Sequence, residues 1–499
     1  MKSLLSVRAA TCRLGSSKSL KIDKFEIRQG EHWCIFGANG SGKSLFAELL
    51  ASRRVESNRY VEYLPGFDPK RDIHFVSFEE QQKLWQSDNR LDMSEYSDDT
   101  RDKGTLVIDL VKSSRMSEHQ DLSFLETLAE KLSLEFYLEE GIRFLSSGQV
   151  RRALIARALY AYNGRTTQLL IFDDPLESID VESQSKIKST ITEHSNNFTS
   201  IQLCRRPEDL LPSITHTAIM HELELIEQGE HAQIKITAPY SELIEKGPKV
   251  PKRLPVAVLE SELDDSEQPL IQLNRINANY GSLQVLKDFS WRMMPRDHVL
   301  IEGPNGCGKS TLLSLIDGEN HKAYGQDVVL FGKKKGTGET IWELKSKFGV
   351  VSNELHNKYL KGWRVLDVVV SGFFDSVGLY DQSGASERTI AKEWLDALGI
   401  GSLARSYYQE ISFGQQRLVL LSRAMVKNPR ILILDEPCVG LDNYHRALIL
   451  SVLDLISKQT KTCMIYVSHT QNEMPNCINV RLSFIPDRAG PSVIKIERL

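Results

Sequence analysis

Nowhere in these 499 residues do 18 apolar positions run together, so no membrane-spanning helix is expected. Neither sign of charge is in large excess: 62 Lys and Arg against 66 Asp and Glu leave a net −4 at pH 7. That balance exerts no global pull toward nucleic acid or anionic lipid, although it excludes neither partner. Cysteine is sparse, and Cys12, Cys34, Cys204, Cys307, Cys438, Cys463 and Cys477 form no C-x-x-C pair and no metal-ligand spacing. Reduced thiols in a cytoplasmic protein fit that pattern better than a disulfide framework or a zinc site. The stretch from Met1 to Ile35 carries too many charges for a secretory signal peptide.

What is present is one pattern written twice. Gly303-Pro304-Asn305-Gly306-Cys307-Gly308-Lys309-Ser310, with Thr311 behind it, has the spacing of a phosphate-binding loop. Glycines let backbone N–H groups close around phosphate oxygens, the lysine reaches the outer phosphates, and the hydroxyl holds Mg²⁺. His298 to Glu302 before it reads as a buried strand, and Leu312 to Ile316 after it as a helix whose N-terminus faces the anion. A second loop, Gly37-Ala38-Asn39-Gly40-Ser41-Gly42-Lys43-Ser44, lies 266 residues earlier behind Trp33 to Phe36. The same offset carries Gly15 to Gly281, Leu20 to Leu286 and Ser146 to Ser412; Asp173 and Asp180 map to Asp435 and Asp442 at 262. The four extra residues of the first half fall at Tyr162-Asn163-Gly164-Arg165, where a longer surface loop is expected. A repeat this long means two homologous domains in tandem rather than a solenoid. Each has room for a substantial core.

The expected division is residues 1–246, a linker over 247–268, and residues 269–499. The linker contains three prolines, a basic cluster at Lys249, Lys252 and Arg253, and the acidic run Glu260-Ser261-Glu262-Leu263-Asp264-Asp265. Alternating apolar and polar residues predict strands up to about residue 30, and another strand over Ile73 to Phe78. The acidic stretch Asp92 to Lys103 reads as a mobile loop, and Leu106 to Leu134 as helices. Leu145-Ser146-Ser147-Gly148-Gln149 precedes a helical run to Tyr160; its counterpart is Ile411-Ser412-Phe413-Gly414-Gln415. Two apolar runs end in carboxylates, at Asp173 with Asp174 and at Asp435 with Glu436.

The order phosphate loop, L-S-x-G-Q, apolar run with D-E-P, then Ser468-His469 resembles the ATP-binding cassette (ABC) ATPases, twice over and across nearly the whole chain. The resemblance implies an α/β fold of two tandem P-loop NTPase domains, each a mixed sheet core with an antiparallel β subdomain and a helical subdomain. It implies an ATPase with ATP and Mg²⁺ as cofactors. It also implies an intramolecular head-to-tail sandwich in a monomer, in which each phosphate loop meets the L-S-x-G-Q of the other domain. Carried over residue by residue, Lys309 and Ser310 hold phosphates and metal, Asp435 belongs to the metal shell, Glu436 orients or deprotonates the attacking water, and His469 touches the γ-phosphate. Tyr280 stands where the family stacks an aromatic on adenine, and Ser146, Gly148 and Gln149, with Ser412, Gly414 and Gln415, would complete the two nucleotide sites. In the first half Ser44 and Asp173 take the metal positions. Leu14 replaces the aromatic, Asp174 the catalytic glutamate, and Arg205 the histidine.

Asp is one carbon shorter than Glu, and a misplacement of about 1 Å costs on the order of 100-fold in rate. Phe413 would put a bulky ring beside the phosphates of that same altered site. One hydrolytic site and one slow ATP-binding site are therefore expected. Blander readings stand beside these: Tyr280 as an ordinary strand aromatic, Phe413 packed inward, Cys307 as a tolerated small residue, Lys333-Lys334-Lys335 as a solvated run.

Gly336 to Trp342, Val370 to Tyr380 and Ser412 to Arg417 look like the ModF-type tandem ATPases associated with bacterial molybdate uptake. That resemblance implies an energy-coupling subunit at the inner face of the plasma membrane, with a permease as partner. Two departures open the alternative of a non-transport ABC switch linked to photorepair, DNA or ribosomes. The family glutamine that couples cassette to permease is Asn353 here, with Phe78 at the corresponding first-half position, and no C-terminal oxyanion-binding domain follows. The short acidic linker argues against the ribosome, and no zinc or coiled-coil insertion points to DNA, so nucleic acid is not an expected partner.

Overall fold

The apolar runs become buried parallel strands, and their order in each sheet decides what reaches the phosphate loop. The computed structural model describes residues 2–14, 18–90, 103–115, 120–162, 167–177, 179–245, 247–255, 268–280, 283–304, 306–317, 325–338, 340–359, 362–378, 383–468, 473–487 and 491–499. Contacts divide the chain into Met1–Lys246 and Gly247–Leu499. In the first unit the parallel strands run in the order Ile73–Val76, Leu169–Asp173, Thr199–Cys204, His32–Phe36, His216–His221. Glu224–Glu230 pairs antiparallel with the last of these and joins the sheet, through Lys21 opposite Glu224, to the strands Lys18–Arg28, Ser3–Leu14 and Val61–Tyr63. In the second unit Phe348–Val351, Ile431–Asp435, Cys463–Ser468, His298–Glu302 and Val480–Ile485 repeat the parallel order. A separate four-stranded sheet holds Leu283–Met293, Ile271–Tyr280, Asp327–Leu330 and Lys333–Lys334. The last stretch of the chain, Val493–Arg498, closes the six-stranded sheet as an antiparallel edge.

Residues such as Ile35, Ile171 and Ile201 are fully buried, as strands covered on both faces require. Each unit has two main apolar clusters. One lies between the sheet and the phosphate-loop helix, where Phe46 meets Phe25 edge-on at 5.1 Å between ring centroids. The other fills the helical part, where Leu110, Leu125, Leu128 and Leu154 gather around the helix Ser147–Tyr160. The α/β, two-cassette expectation holds.

The first part of the expected linker is packed on the second unit rather than suspended. Leu254 is buried in its helical cluster, its N–H donates to Gln459 Oε1 at 2.9 Å, and Gln459 Nε2 donates to the Lys252 carbonyl at 3.1 Å. The acidic run Glu260 to Asp265, the insertion at 163–165 and nearly all of Asp92 to Lys103 lie outside the described residues. The Lys333 to Lys335 run is solvated only in part, since Lys334 pairs with Asp327 at 3.2 Å while Lys335 is buried.

Candidate active site

Both phosphate loops turn left-handed at the same two glycines, the first being Gly40 at φ +78° and Gly306 at +81°. Gly42 and Gly308 sit at φ +101° and +107°, just before the helices Lys43–Leu50 and Lys309–Asp317. At Gly308 a Cβ would come within 2.6 Å of Val285 Cγ1, so shape and conformation both demand glycine. Gly308→Ala is expected to abolish binding of a fluorescent ATP analogue at the second loop while leaving the first loop's share intact, measured as a halved stoichiometry when the variant is titrated beside the parent. Lys43 Nζ donates to the Gly37 and Ala38 carbonyls at 2.7 and 2.8 Å, and Lys309 Nζ to Gly303 and Pro304 at the same distances. Each loop thus holds its ammonium against its own first two carbonyls. Cys307 is buried, and burial raises its thiol pKa against the opposing pull of Lys309, which fits the small-residue reading rather than an activated thiol.

The carboxylates arrive from a strand two places away in each sheet. Ser44 Oγ donates to Asp173 Oδ2 at 3.1 Å, joining the two groups expected to hold the metal. Burial, and then Asp174, push the Asp173 carboxyl up to about 7; burial, and then Glu436, push Asp435 up to about 6. A buried carboxylate next to a second one, beside a loop hydroxyl, is a hard oxygen donor set that a divalent cation would relieve. Asp174 and Glu436 occupy one backbone position: both are left-handed, at φ +45° and +50°, and their N–H groups donate to Leu203 and Val467. A non-glycine residue in this region is strained, and it is held here by the sheet on one side. Arg151 Nη1 supports the first unit's corner from the other side by donating to the Asp173 and Asp174 carbonyls.

The two catalytic positions differ in what the side chain meets. Arg205 Nη2 lies 2.8 Å from Asp174 Oδ2 and 3.0 Å from Glu177 Oε2, with all three groups largely buried. Burial alone would lower the Arg205 pKa, but the two carboxylates overcome it and hold the pKa well above the ordinary value. Arg205 is therefore engaged by its own unit, and Asp174 is the acceptor of a charged pair. Glu177, three residues after Asp174, completes the cluster, and no spacing in the sequence ties either carboxylate to Arg205. His469 and Asn305 lie outside the described residues, as do the side chains of Leu14 and Tyr280.

In both units the S-x-G-Q segment is a reciprocal helix cap. Ser146 Oγ accepts from Gln149 N while Gln149 Oε1 accepts from Ser146 N, and Ser412 with Gln415 repeats the arrangement. Each serine keeps its hydroxyl proton for another acceptor. Gly148 is buried in the first turn of its helix. At Gly414 a Cβ would lie 2.4 Å from His445 Cγ, so glycine there is also a packing requirement of its own unit. Phe413 turns inward: it meets His356 edge-on at 5.1 Å, the Arg417 guanidinium stands 5.0 Å from its centroid, and it packs against the helical cluster. Within its own unit the ring thus has an apolar and cationic surface to pack on, in line with the blander reading.

His356 is sealed in the same cluster, with Nδ1 2.9 Å from the Tyr408 hydroxyl. Burial, and then Arg417, push its pKa from 6.5 down to about 4. The unfolded chain then binds the proton more readily, so stability is full above pH 6.5 and falls as the pH drops toward 4, by about 3 kcal/mol. His356→Gln should flatten that part of the stability profile in urea unfolding between pH 7 and 4. Asn353, at the coupling-glutamine position, is hydrogen-bonded to Arg417, and in the first unit Gln81 Nε2 reaches Ser147 Oγ at 2.9 Å.

Two phosphate loops, each backed by a paired carboxylate corner and a capped helix, define a nucleotide-hydrolysing cassette. The ABC transporter family model matches residues 20–177 and 286–439, and the chain belongs to that family: it is a tandem ABC ATPase that binds ATP. It is 33% identical to the ABC transporter ATP-binding protein ModF of Escherichia coli K12 over 97% of each chain. It is also 28% identical to an ABC transporter ATP-binding protein of Schizosaccharomyces pombe, covering 92% of this chain and 93% of that one. Among solved structures it resembles the archaeal ribosome recycling factor aABCE1, seen in complex with the ribosomal stalk protein aP1. That likeness has a TM-score of 0.58 and 17% identity over 97% of this chain and 89% of that one, which speaks for the fold alone.

Proposed function

We propose that the chain is an asymmetric ATP-driven clamp in which one site hydrolyses and the other binds and holds. In this reading the second unit's loop, with Lys309, Glu436 and His469, works with Ser146, Gly148 and Gln149 of the first unit. The first unit's loop, with Lys43 and Asp174, works with Ser412, Gly414 and Gln415. Mg²⁺ would be held by Ser310 and Asp435 in one site and by Ser44 and Asp173 in the other, where it would offset phosphate charge. The observation that carries the asymmetry is the Asp174–Arg205–Glu177 cluster. A carboxylate already paired with a permanently charged guanidinium is a poor proton acceptor, whereas the second unit has the longer Glu436 at the same left-handed position.

We further propose energy coupling in transport, with the chain in the cytoplasm at the membrane's inner face and a permease as partner. The full-length similarity to the E. coli transporter protein supports this; molybdate as the transported species rests only on the sequence stretches that look like the ModF type. A second reading, a switch outside transport, is favoured by Asn353, whose amide oxygen is spent on Arg417 within its own unit. No helix among the described residues is long and apolar enough to cross a membrane, so either reading needs a partner at the membrane or elsewhere. Crosslinking the tagged chain in intact cells, followed by membrane and ribosome fractionation, separates the two. Recovery with a permease supports transport; recovery with ribosomes or DNA and none with membranes overturns it.

A further inference from the structure

The first unit contains a cavity of about 420 Å³ that shares no residue with the phosphate loop or the Asp173 corner. Its size falls within the range of small-molecule sites, about 300–1,000 Å³. Among the described residues five cations line it, Arg53, Lys70, Arg71, Arg115 and Arg157, against one carboxylate, Glu80. Glu80 is itself shared between Arg53 at 2.8 Å and Lys83 at 3.3 Å, and its charge also reaches Arg157, so one carboxylate is divided among three cations. Arg71 is held bidentately by Asp72, and Arg115 by the carbonyls of Tyr160 and Tyr162.

Arg157 differs from these. It is half-buried on the helix Ser147–Tyr160, and its side chain has no hydrogen-bond partner among the described residues. His74 lines the same cavity, and its Nε2 is a buried atom without a partner beneath the lining. Burying a guanidinium without hydrogen bonds is costly, and the second unit shows how the same residue is normally satisfied. Arg423, at the repeat position of Arg157, donates from Nε to the Tyr359 hydroxyl at 2.8 Å and to Ser371 Oγ at 3.3 Å, and from Nη2 to the Ser376 carbonyl at 3.0 Å. The repeat thus supplies its own control: one guanidinium is closed off by its domain, while its counterpart opens on a cationic cavity.

We propose that this cavity is a binding site for a compact phosphate-type dianion, gripped by Arg157 and His74, with Arg53 and Lys70 supplying further positive charge. A guanidinium fork matches paired phosphate oxygens, and a neutral imidazole contributes one N–H donor. A dianion answers the excess of cations, which a single carboxylate would leave largely uncompensated. Ser113 and Ser114 donate to the Leu110 and Val111 carbonyls, so the donors to the ligand are the cations and the imidazole. Bound there, the anion would tie the strand Ile73–Val76 to the last turn of the helix Ser147–Tyr160.

The test is equilibrium dialysis of ³²P-labelled inorganic phosphate against the full chain, with both phosphate loops saturated by a non-hydrolysable ATP analogue. One phosphate per chain is expected. Arg157→Gln and His74→Gln should each weaken it about tenfold, the loss of one charge-assisted or buried hydrogen bond, while Arg423→Gln leaves it unchanged. Thermal melts of each variant establish that the fold is retained, and His74→Gln serves if Arg157→Gln melts early. A parallel arm measures sedimentation with phosphatidate vesicles. Arg157-dependent retention there assigns the dianion to a lipid headgroup, Arg157-dependent dialysis to a soluble phosphate, and either supports the site. No phosphate or phosphatidate binding, binding indifferent to both variants, or binding of a polyglutamate peptide alone overturns it.

Discussion

Glu436→Gln should reduce steady-state ATP turnover of the full chain at least 100-fold, whereas Asp174→Asn should leave kcat within about twofold of the parent. The two residues stand at one backbone position in the repeat, left-handed and anchored by equivalent N–H donations to Val467 and Leu203. Any difference between them must therefore arise from the side chain and its neighbours. Glutamine keeps the length of Glu436 and removes only its capacity to accept a proton, so loss of turnover with ATP binding preserved identifies a chemical role. Asparagine in place of Asp174 removes a charge that is already neutralised by Arg205 at 2.8 Å. Binding of ATP, followed by a fluorescent analogue, should survive both substitutions. Equal loss of turnover in the two variants would mean that both sites fire together and that the asymmetric clamp is wrong.

Much of this was legible in the chain because the repeat doubled every signal. The phosphate loops need glycine where the backbone is left-handed, and that need is written directly into the spacing at Gly42 and Gly308. Runs such as Ile431 to Leu434 are apolar throughout because the strand is covered on both faces, so period and length alone identify it. The S-x-G-Q segments were read as ligand groups; their first task is to cap their own helices, a local pattern that was equally visible as Ser followed three residues later by Gln. What could not be read were contacts between residues far apart in sequence. The pairing of Arg205 with Asp174 and Glu177, the seat of Phe413 between His356 and Arg417, and the anchoring of Leu254 by Gln459 all depend on tertiary neighbours that no spacing encodes.

Replacing Arg205 by alanine should destabilise the first unit by about 3–5 kcal/mol, the cost of leaving buried carboxylates without their counter-charge. The relevant groups are 12% exposed at Arg205 and 13% at Asp174, so solvent cannot take over the role of the guanidinium. Asp173 is adjacent and its carboxyl is already pushed up to about 7 by burial and Asp174, so removing the cation places three carboxyl groups in one poorly solvated pocket. Protonation would relieve them: the parent gains stability as the pH falls from 7 toward 5, because Asp173 binds its proton more tightly folded than unfolded, and Arg205→Ala should gain more over the same range. Urea unfolding followed at the first unit's Trp33 and Trp85 measures both effects. The double substitution Arg205→Ala with Asp174→Asn separates pair from strain: it should restore part of the loss, because one of the stranded charges is gone. If Arg205→Ala costs less than about 1 kcal/mol, the cluster is hydrated and exchangeable. Asp174 would then be available to a water molecule at the phosphate, and the first site would regain its claim to hydrolysis.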